Sequence, residues 1–226
     1  MKKKLIIFDL DGTLINSIKD LAISTNHALE QLGFPTHPIE NYNLMIGNGI
    51  NKLFERALPN GKKTEENILK MREAFLPHYD RNNAVYTHPY EGIPELLEEL
   101  QERKILLAVA SNKYQQATQK LVRYFFPNIQ FVHILGQRKE VPSKPDPTIL
   151  LEIVAKAKVS LEDTLMVGDS NIDMETANRA RIEACGVSWG FRSVEELQSK
   201  HPKCIVNHPN EILRLITPKE SKTINQ

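Results

Sequence analysis

The chain has 226 residues, 41% hydrophobic and 25% charged, the composition of a globular protein long enough for one large domain or a domain with an insertion. With a net charge of +1 no large monopole draws the chain to nucleic acid or to an anionic membrane, and no apolar run approaches the ~18 residues of a membrane span. Cys185 and Cys204 are the only cysteines, and the seven histidines form no His-Glu-x-x-His pattern, so neither a disulfide scaffold nor a zinc site is supported. Reduced thiols and a cytoplasmic setting are expected.

The first apolar run, Leu5 to Phe8, reads as a strand behind a soluble basic flank. It ends in Asp9-Leu10-Asp11-Gly12-Thr13-Leu14, two carboxylates where a buried strand runs out of core. On extended backbone Asp9 and Asp11 point to the same side, so one can attack a reacting group while the other handles a proton. Gly12 lets the chain turn sharply afterwards. A merely charged strand end is the alternative reading of these residues taken alone.

From Ile15 to Tyr86 no strand is expected, and the pattern is that of a helical insertion. Ile18 to Leu32 carries apolar residues at helical spacing, with Gly33 and Pro35 as stops; Leu53 to Leu58 and Ile68 to Tyr79 supply further helical faces. In Ile46-Gly47-Asn48-Gly49 the glycines would let a loop approach a small ligand closely, although a simple turn explains them equally well. Asn48, Lys52 and Arg56 would meet an anionic substrate if their helix faces the site, with surface solvation as the alternative for the two cations.

Beyond residue 86, apolar runs at Ile105 to Ala110, Phe131 to Leu135, Thr164 to Val167 and Ala184 to Trp189 alternate with helical patterns. The helices are expected at Ile93 to Arg103, Gln115 to Tyr124, Pro147 to Ala157 and Ile172 to Arg181. Continuous apolar runs suit strands covered on both faces, so the fold class is α/β, a Rossmann-like parallel sheet with helices on both sides. Ligands of such sheets bind at the carboxyl ends of the strands, where Asp9, Ser111 and Asp169 fall. Ser111-Asn112-Lys113 reads as a strand end passing into a helix start, whose hydroxyl and free N–H groups hold phosphate oxygens or simply cap the helix. In Pro142-Ser143-Lys144-Pro145-Asp146-Pro147 the prolines stiffen the loop carrying Lys144, which could offset charge on a phosphoryl group.

The last acidic piece is Gly168-Asp169-Ser170-Asn171-Ile172-Asp173. Asp169 and Asp173 are four apart, so a helix starting here would stack them on one face. Asp9, the Asp11 backbone carbonyl and Asp169 could serve magnesium, which prefers one or two carboxylates, waters and substrate phosphate oxygens. A helix cap at Asp169 or Ser170 is the plainer reading. Trp189 is expected in the core rather than in the chemistry, and the polar segment 217–226 is expected to fray.

These four segments, in this order, resemble the haloacid dehalogenase-like hydrolase superfamily over nearly the whole chain. The resemblance implies Asp9 as nucleophile, Asp11 as general acid and base, Mg2+ as cofactor held by Asp9, Asp11 and Asp169, and Ser111 and Lys144 as phosphate binders. Thr13, Gly47, Asn48 and Asn112 join them as expected substrate contacts, and Ser170 and Asp173 as residues behind the metal, Asp173 orienting bound water. An acid at Asp11 favours a phosphatase over a dehalogenase. The insertion, residues 15–86, looks like the small cap of one branch, leaving 1–14 and 87–216 as the hydrolase core. Ile46-Gly47-Asn48-Gly49 and Val187-Ser188-Trp189-Gly190-Phe191-Arg192 look like the phosphoglycolate phosphatase-type proteins. The implied partner is a small phosphorylated metabolite, acted on by a monomer or homodimer. A sugar phosphomutase, a pyrophosphatase and a non-catalytic phosphate-binding module remain open on the same residues. Where the family commonly has glycine, this chain has Arg181, which implies local strain or a different turn.

Overall fold

The computed structural model describes residues 3–216, so the tail expected to fray, 217–226, lies outside the described residues. The chain enters through β1 (Leu5–Phe8), turns, and forms β2 (Ile15–Asn16) before three helices, α1 (Ile18–Gln31), α2 (Ile50–Ala57) and α3 (Glu65–Asn82), with a 3-10 turn at Ile39–Leu44. It returns through β3 (His88–Pro89) and α4 (Ile93–Glu102). Strands and helices then alternate as β4 (Leu106–Tyr114), α5 (Gln115–Phe125), β5 (Phe131–Gln137), α6 (Thr148–Ala157), β6 (Thr164–Gly168), α7 (Asn171–Ala180) and β7 (Glu183–Val187). The described chain closes with α8 (Val194–Gln198), β8 (Cys204–Val206) and α9 (Leu213–Ile216).

Six strands form one parallel sheet in the order β5-β4-β1-β6-β7-β8, with β1 at its centre. Side chains alternate across a strand, so Ile6 and Phe8 pack with α4 and α5 on one face while Leu5 and Ile7 pack with α6 and α7 on the other. Both faces are dry, which is why Leu5–Phe8 is apolar without alternation. The helices α1, α2 and α3 build a separate core around Leu29, Phe54, Phe75 and Tyr79, to which the sheet domain adds Ala117 of α5. Buried Asp20 of α1 ties the entry to the exit of this helical segment, accepting hydrogen bonds from the Tyr86 and Thr87 backbone N–H groups at 3.0 and 2.8 Å and from the Thr87 hydroxyl at 2.7 Å.

The structure corrects several expectations. A strand does precede Ile105: Ile15–Asn16 pairs antiparallel with His88–Pro89, a ribbon too short to carry any periodicity. β4 does not end at Ala110 but runs through Ser111, Asn112 and Lys113 to Tyr114, which pairs with Gln137 after a register shift. β7 stops at Val187, leaving Trp189 in the following loop, packed against the core with its indole N–H donating to the Thr13 carbonyl at 3.1 Å. At the end of α7, Arg181 keeps the left-handed conformation (φ +57°, ψ 37°), so the chain has no different turn there. The Ile182 N–H donates to the Ala177 carbonyl at 2.9 Å and closes the helix.

Candidate active site

The carboxyl ends of β1, β4 and β6 lie side by side because β1 pairs with both of the others, in registers that bring Phe8 level with Val109 and Val167. Asp9, Ser111 and Asp169 follow from this register. The Gly12 backbone (φ +86°) turns the chain so closely past Asp169 that a Cβ there would lie 2.2 Å from its carboxylate.

Three buried carboxylates, Asp9, Asp169 and Asp173, bring oxygens within 4.8 Å of one another. One ammonium serves them: Lys144 Nζ, held in place by the Ala110 carbonyl at 2.8 Å, lies 2.6 Å from Asp173 Oδ1 and 3.0 Å from Asp9 Oδ1. The Asp9 contact is an ion pair off the hydrogen-bonding direction, so this buried oxygen has no donor. Burial, opposed by Lys144, pushes the Asp9 carboxyl up to about 7. Burial, with Asp173 and Asp9 adding to it, raises Asp169 well above the usual carboxylate range, against hydrogen bonds from the Phe191 N–H and the Thr13 hydroxyl. Burial alone would lower the Lys144 ammonium, but Asp173 and Asp9 outweigh it and hold it high. Three clustered acids against one ammonium among the described residues, with an Asp9 oxygen lacking a donor, fit a divalent cation that takes oxygen ligands.

Asp173 reaches the cluster by a different route from the expected helical stack. The helix begins at Asn171, after Asp169, and Asp173 folds back to accept from the Ser170 N–H and hydroxyl at 3.1 and 2.6 Å in a capping box. Ser170 therefore touches Asp173 and caps α7.

Asp11 stands apart from the trio. The Ser17 hydroxyl donates to its Oδ1 at 2.5 Å, and Lys113 Nζ is 2.8 Å from its Oδ2. Asp9 and Asp11 nonetheless line one chamber of about 30 Å³, together with Ser111, Asn112, Lys113 and the apolar Leu21, Ile46, Ile50 and Leu53. Ser111 is buried there, but it is a strand residue, and its hydroxyl accepts from the Lys113 N–H at 3.2 Å instead of opening a helix. Asn112 is a tie: its amide nitrogen donates to the Gly47 carbonyl at 3.2 Å and the Lys144 carbonyl at 3.1 Å, while its oxygen accepts from the Lys144 N–H at 2.8 Å. Gly47 lines the chamber, and Gly49 brings its backbone so near β4 that a Cβ would lie 3.3 Å from the Asn112 carbonyl.

Other expected contacts fall elsewhere. The Thr13 hydroxyl is fully buried and donates to Asp169 at 3.2 Å. Asn48 accepts from Arg56 at 2.8 Å and lines a neighbouring cavity of about 480 Å³ instead of the chamber. Arg56 also donates to the Met45 carbonyl, and Lys52 pairs with Glu55 in solvent, so neither cation enters the chamber.

A family model for haloacid dehalogenase-like hydrolases matches residues 6–187, a span holding every carboxylate of the site. The chain belongs to the haloacid dehalogenase-like hydrolase family. Among its relatives, the phosphoglycolate phosphatase of Aquifex aeolicus is 34% identical over 213 residues, covering 94% of this chain and 96% of the relative. That of Mannheimia succiniciproducens is 33% identical over 219 residues, covering 94% and 98%. A crystal structure of a "predicted phosphoglycolate phosphatase" from Haemophilus somnus 129PT superposes with a TM-score of 0.89 at 30% identity, covering 96% of this chain and 99% of that one. The α/β fold of this hydrolase is thus that of its relatives, and among the described residues no helix is long and apolar enough to cross a membrane.

Four contributors escaped the sequence reading: Ser17 and Lys113 on Asp11, the Phe191 N–H on Asp169 at 2.8 Å, and Arg192. The Arg192 guanidinium crosses from the loop after β7 to the carbonyls of Asn43 and Ile46, strapping the glycine loop over the chamber. A backbone N–H has no sequence signature, but Lys113 sits within a segment already marked by Ser111 and Asn112.

Proposed function

We propose that the protein is a magnesium-dependent phosphatase that hydrolyses a small, phosphoglycolate-like phosphomonoester through an aspartyl-phosphate on Asp9. The observation that carries this reading is the donor-free Asp9 oxygen among three buried carboxylates, with Asp11 opening on the same chamber. Asp9 attacks phosphorus in line, with Lys144 beside it to offset developing charge on the phosphoryl group. Asp11 gives a proton to the departing alkoxide and takes one from the water that cleaves the aspartyl-phosphate. Ser111 and Asn112 line the phosphoryl end. Magnesium would be held by Asp9, Asp169 and the Asp11 carbonyl, with Asp173 behind them, and would supply charge neutralisation at the phosphoryl oxygens. The helical segment 15–86 acts as a cap that excludes bulk water during transfer and reopens for exchange.

Asp9→Asn should abolish phosphate release from phosphoglycolate while the protein stays folded. Undiminished magnesium-dependent turnover by that variant would refute the assignment of the nucleophile. Inorganic phosphate measured against isomerised product distinguishes the hydrolase from a mutase.

A further inference from the structure

Among the described residues Lys113 is the one lysine or arginine that lines the chamber, and its side chain is 3% exposed. It lies 2.8 Å from Asp11 Oδ2 and 4.9 Å from the centroid of the Tyr79 ring of α3, so it sits where the cap meets the core. Lys144, the other buried cation of the site, is engaged with Asp173, Asp9 and the Ala110 carbonyl. We propose that Lys113 is the specificity residue for the leaving group, and that it selects phosphate esters bearing a carboxylate on the carbon next to the ester oxygen.

The assignment rests on the phosphatase reading and on where the leaving group must go. In-line attack by Asp9 places the departing oxygen on the far side of phosphorus, where Asp11 can reach it with a proton. The carbon attached to that oxygen then lies toward the cap, against Leu21, Ile46, Ile50 and Leu53, whose side chains offer no polar group. A buried anion on such a wall would be costly without a cation. Lys113 is the cation that Asp11 already touches, and a carboxylate two bonds from the ester oxygen is the substituent placed to share it, since an ammonium has three donors.

The test compares phosphoglycolate with ethyl phosphate, an ester of equal length that lacks the carboxylate, on the wild type, Lys113→Met and Lys113→Arg, with magnesium present. The wild type should prefer phosphoglycolate in kcat/KM, Lys113→Met should lose roughly 100-fold of that preference, and Lys113→Arg should recover part of it. Equal losses on both esters would overturn the proposal, because Lys113 would then act only through Asp11. Should Lys113→Met fail to fold, the wild type still decides: turnover of both esters with no carboxylate preference also overturns it. Absence of phosphate release from every ester would instead sink the phosphatase reading itself.

Discussion

Replacing Lys144 by methionine in the metal-free protein tests the charge balance of the carboxylate cluster separately from catalysis. Its side chain is 1% exposed and, among the described residues, its ammonium is the sole cation in contact with Asp9 and Asp173. Methionine fills most of the volume but leaves three buried acids uncompensated, the situation in which removing one partner of a buried ion pair costs about 3–5 kcal/mol. Against a total stability of about 5–15 kcal/mol this is a large fraction, and for a chain of this length it lowers Tm by about 10 °C. The loss must depend on pH. Asp9 has a folded value of about 7 against an ordinary value of 3.8, so its stabilising contribution is complete below 3.8 and disappears as pH rises through 7. Without Lys144 that decline continues to higher pH, because nothing opposes the desolvation of the ionised carboxylate. Thermal unfolding in EDTA at pH 5.5 and 8 should therefore give a deficit for Lys144→Met at both, from the lost Asp173 partner, and a larger one at the higher pH. A deficit below about 1 kcal/mol at both would mean that the acids are not electrostatically linked to Lys144 as the distances require.

Three more outcomes follow from the same geometry. Magnesium should raise Tm more at pH 8 than at pH 6, since the raised Asp9 and Asp169 must shed protons before ligating, and Asp169→Asn should remove most of that gain; a gain independent of pH would contradict the ligand set. Arg192→Ala releases the Asn43 and Ile46 carbonyls, charge-assisted bonds worth about 1.5–3 kcal/mol each, so it should raise KM and expose the glycine loop to protease, and unchanged cleavage at residues 43–49 would argue against a strap. Arg181→Gly should stabilise the protein by up to about 1 kcal/mol by relieving the left-handed conformation at the end of α7, measured by urea unfolding; a loss would mean that the arginine side chain contributes more than its backbone strain costs.

What could be read from the sequence divides along a physical line. Apolar runs covered on both faces are visible because burial on each side demands an apolar residue at every position, and so Leu5–Phe8 and Thr164–Gly168 with their terminal aspartates stood out. Ser111, Asn112 and Lys113 belong to the same kind of element, yet their polarity hides it: they are buried strand residues satisfied by groups brought from elsewhere, Lys144 and Gly47 for Asn112 and Asp11 for Lys113. Hydrophobic pattern locates the sheet and goes silent where the sheet becomes the site. The same limit explains Asp173, whose path to Asp169 is set by the Ser170 capping box instead of helical spacing.

The cap side is the least legible, because nothing local announces a contact between Arg192 and the Ile46 carbonyl or between Asn112 and the Gly47 carbonyl. These contacts determine the size of the chamber, and its size and single ammonium determine which esters enter. Three residues thus act on one outcome, the choice of ester. Arg192 and Asn112 set how tightly the apolar wall of Leu21, Ile46, Ile50 and Leu53 closes over the leaving group, and Lys113 sets what charge that group must carry once enclosed. If closure is what gives Lys113 its discrimination, loosening the strap lets water screen the ammonium, and the preference for a carboxylate should fall even though Lys113 is untouched.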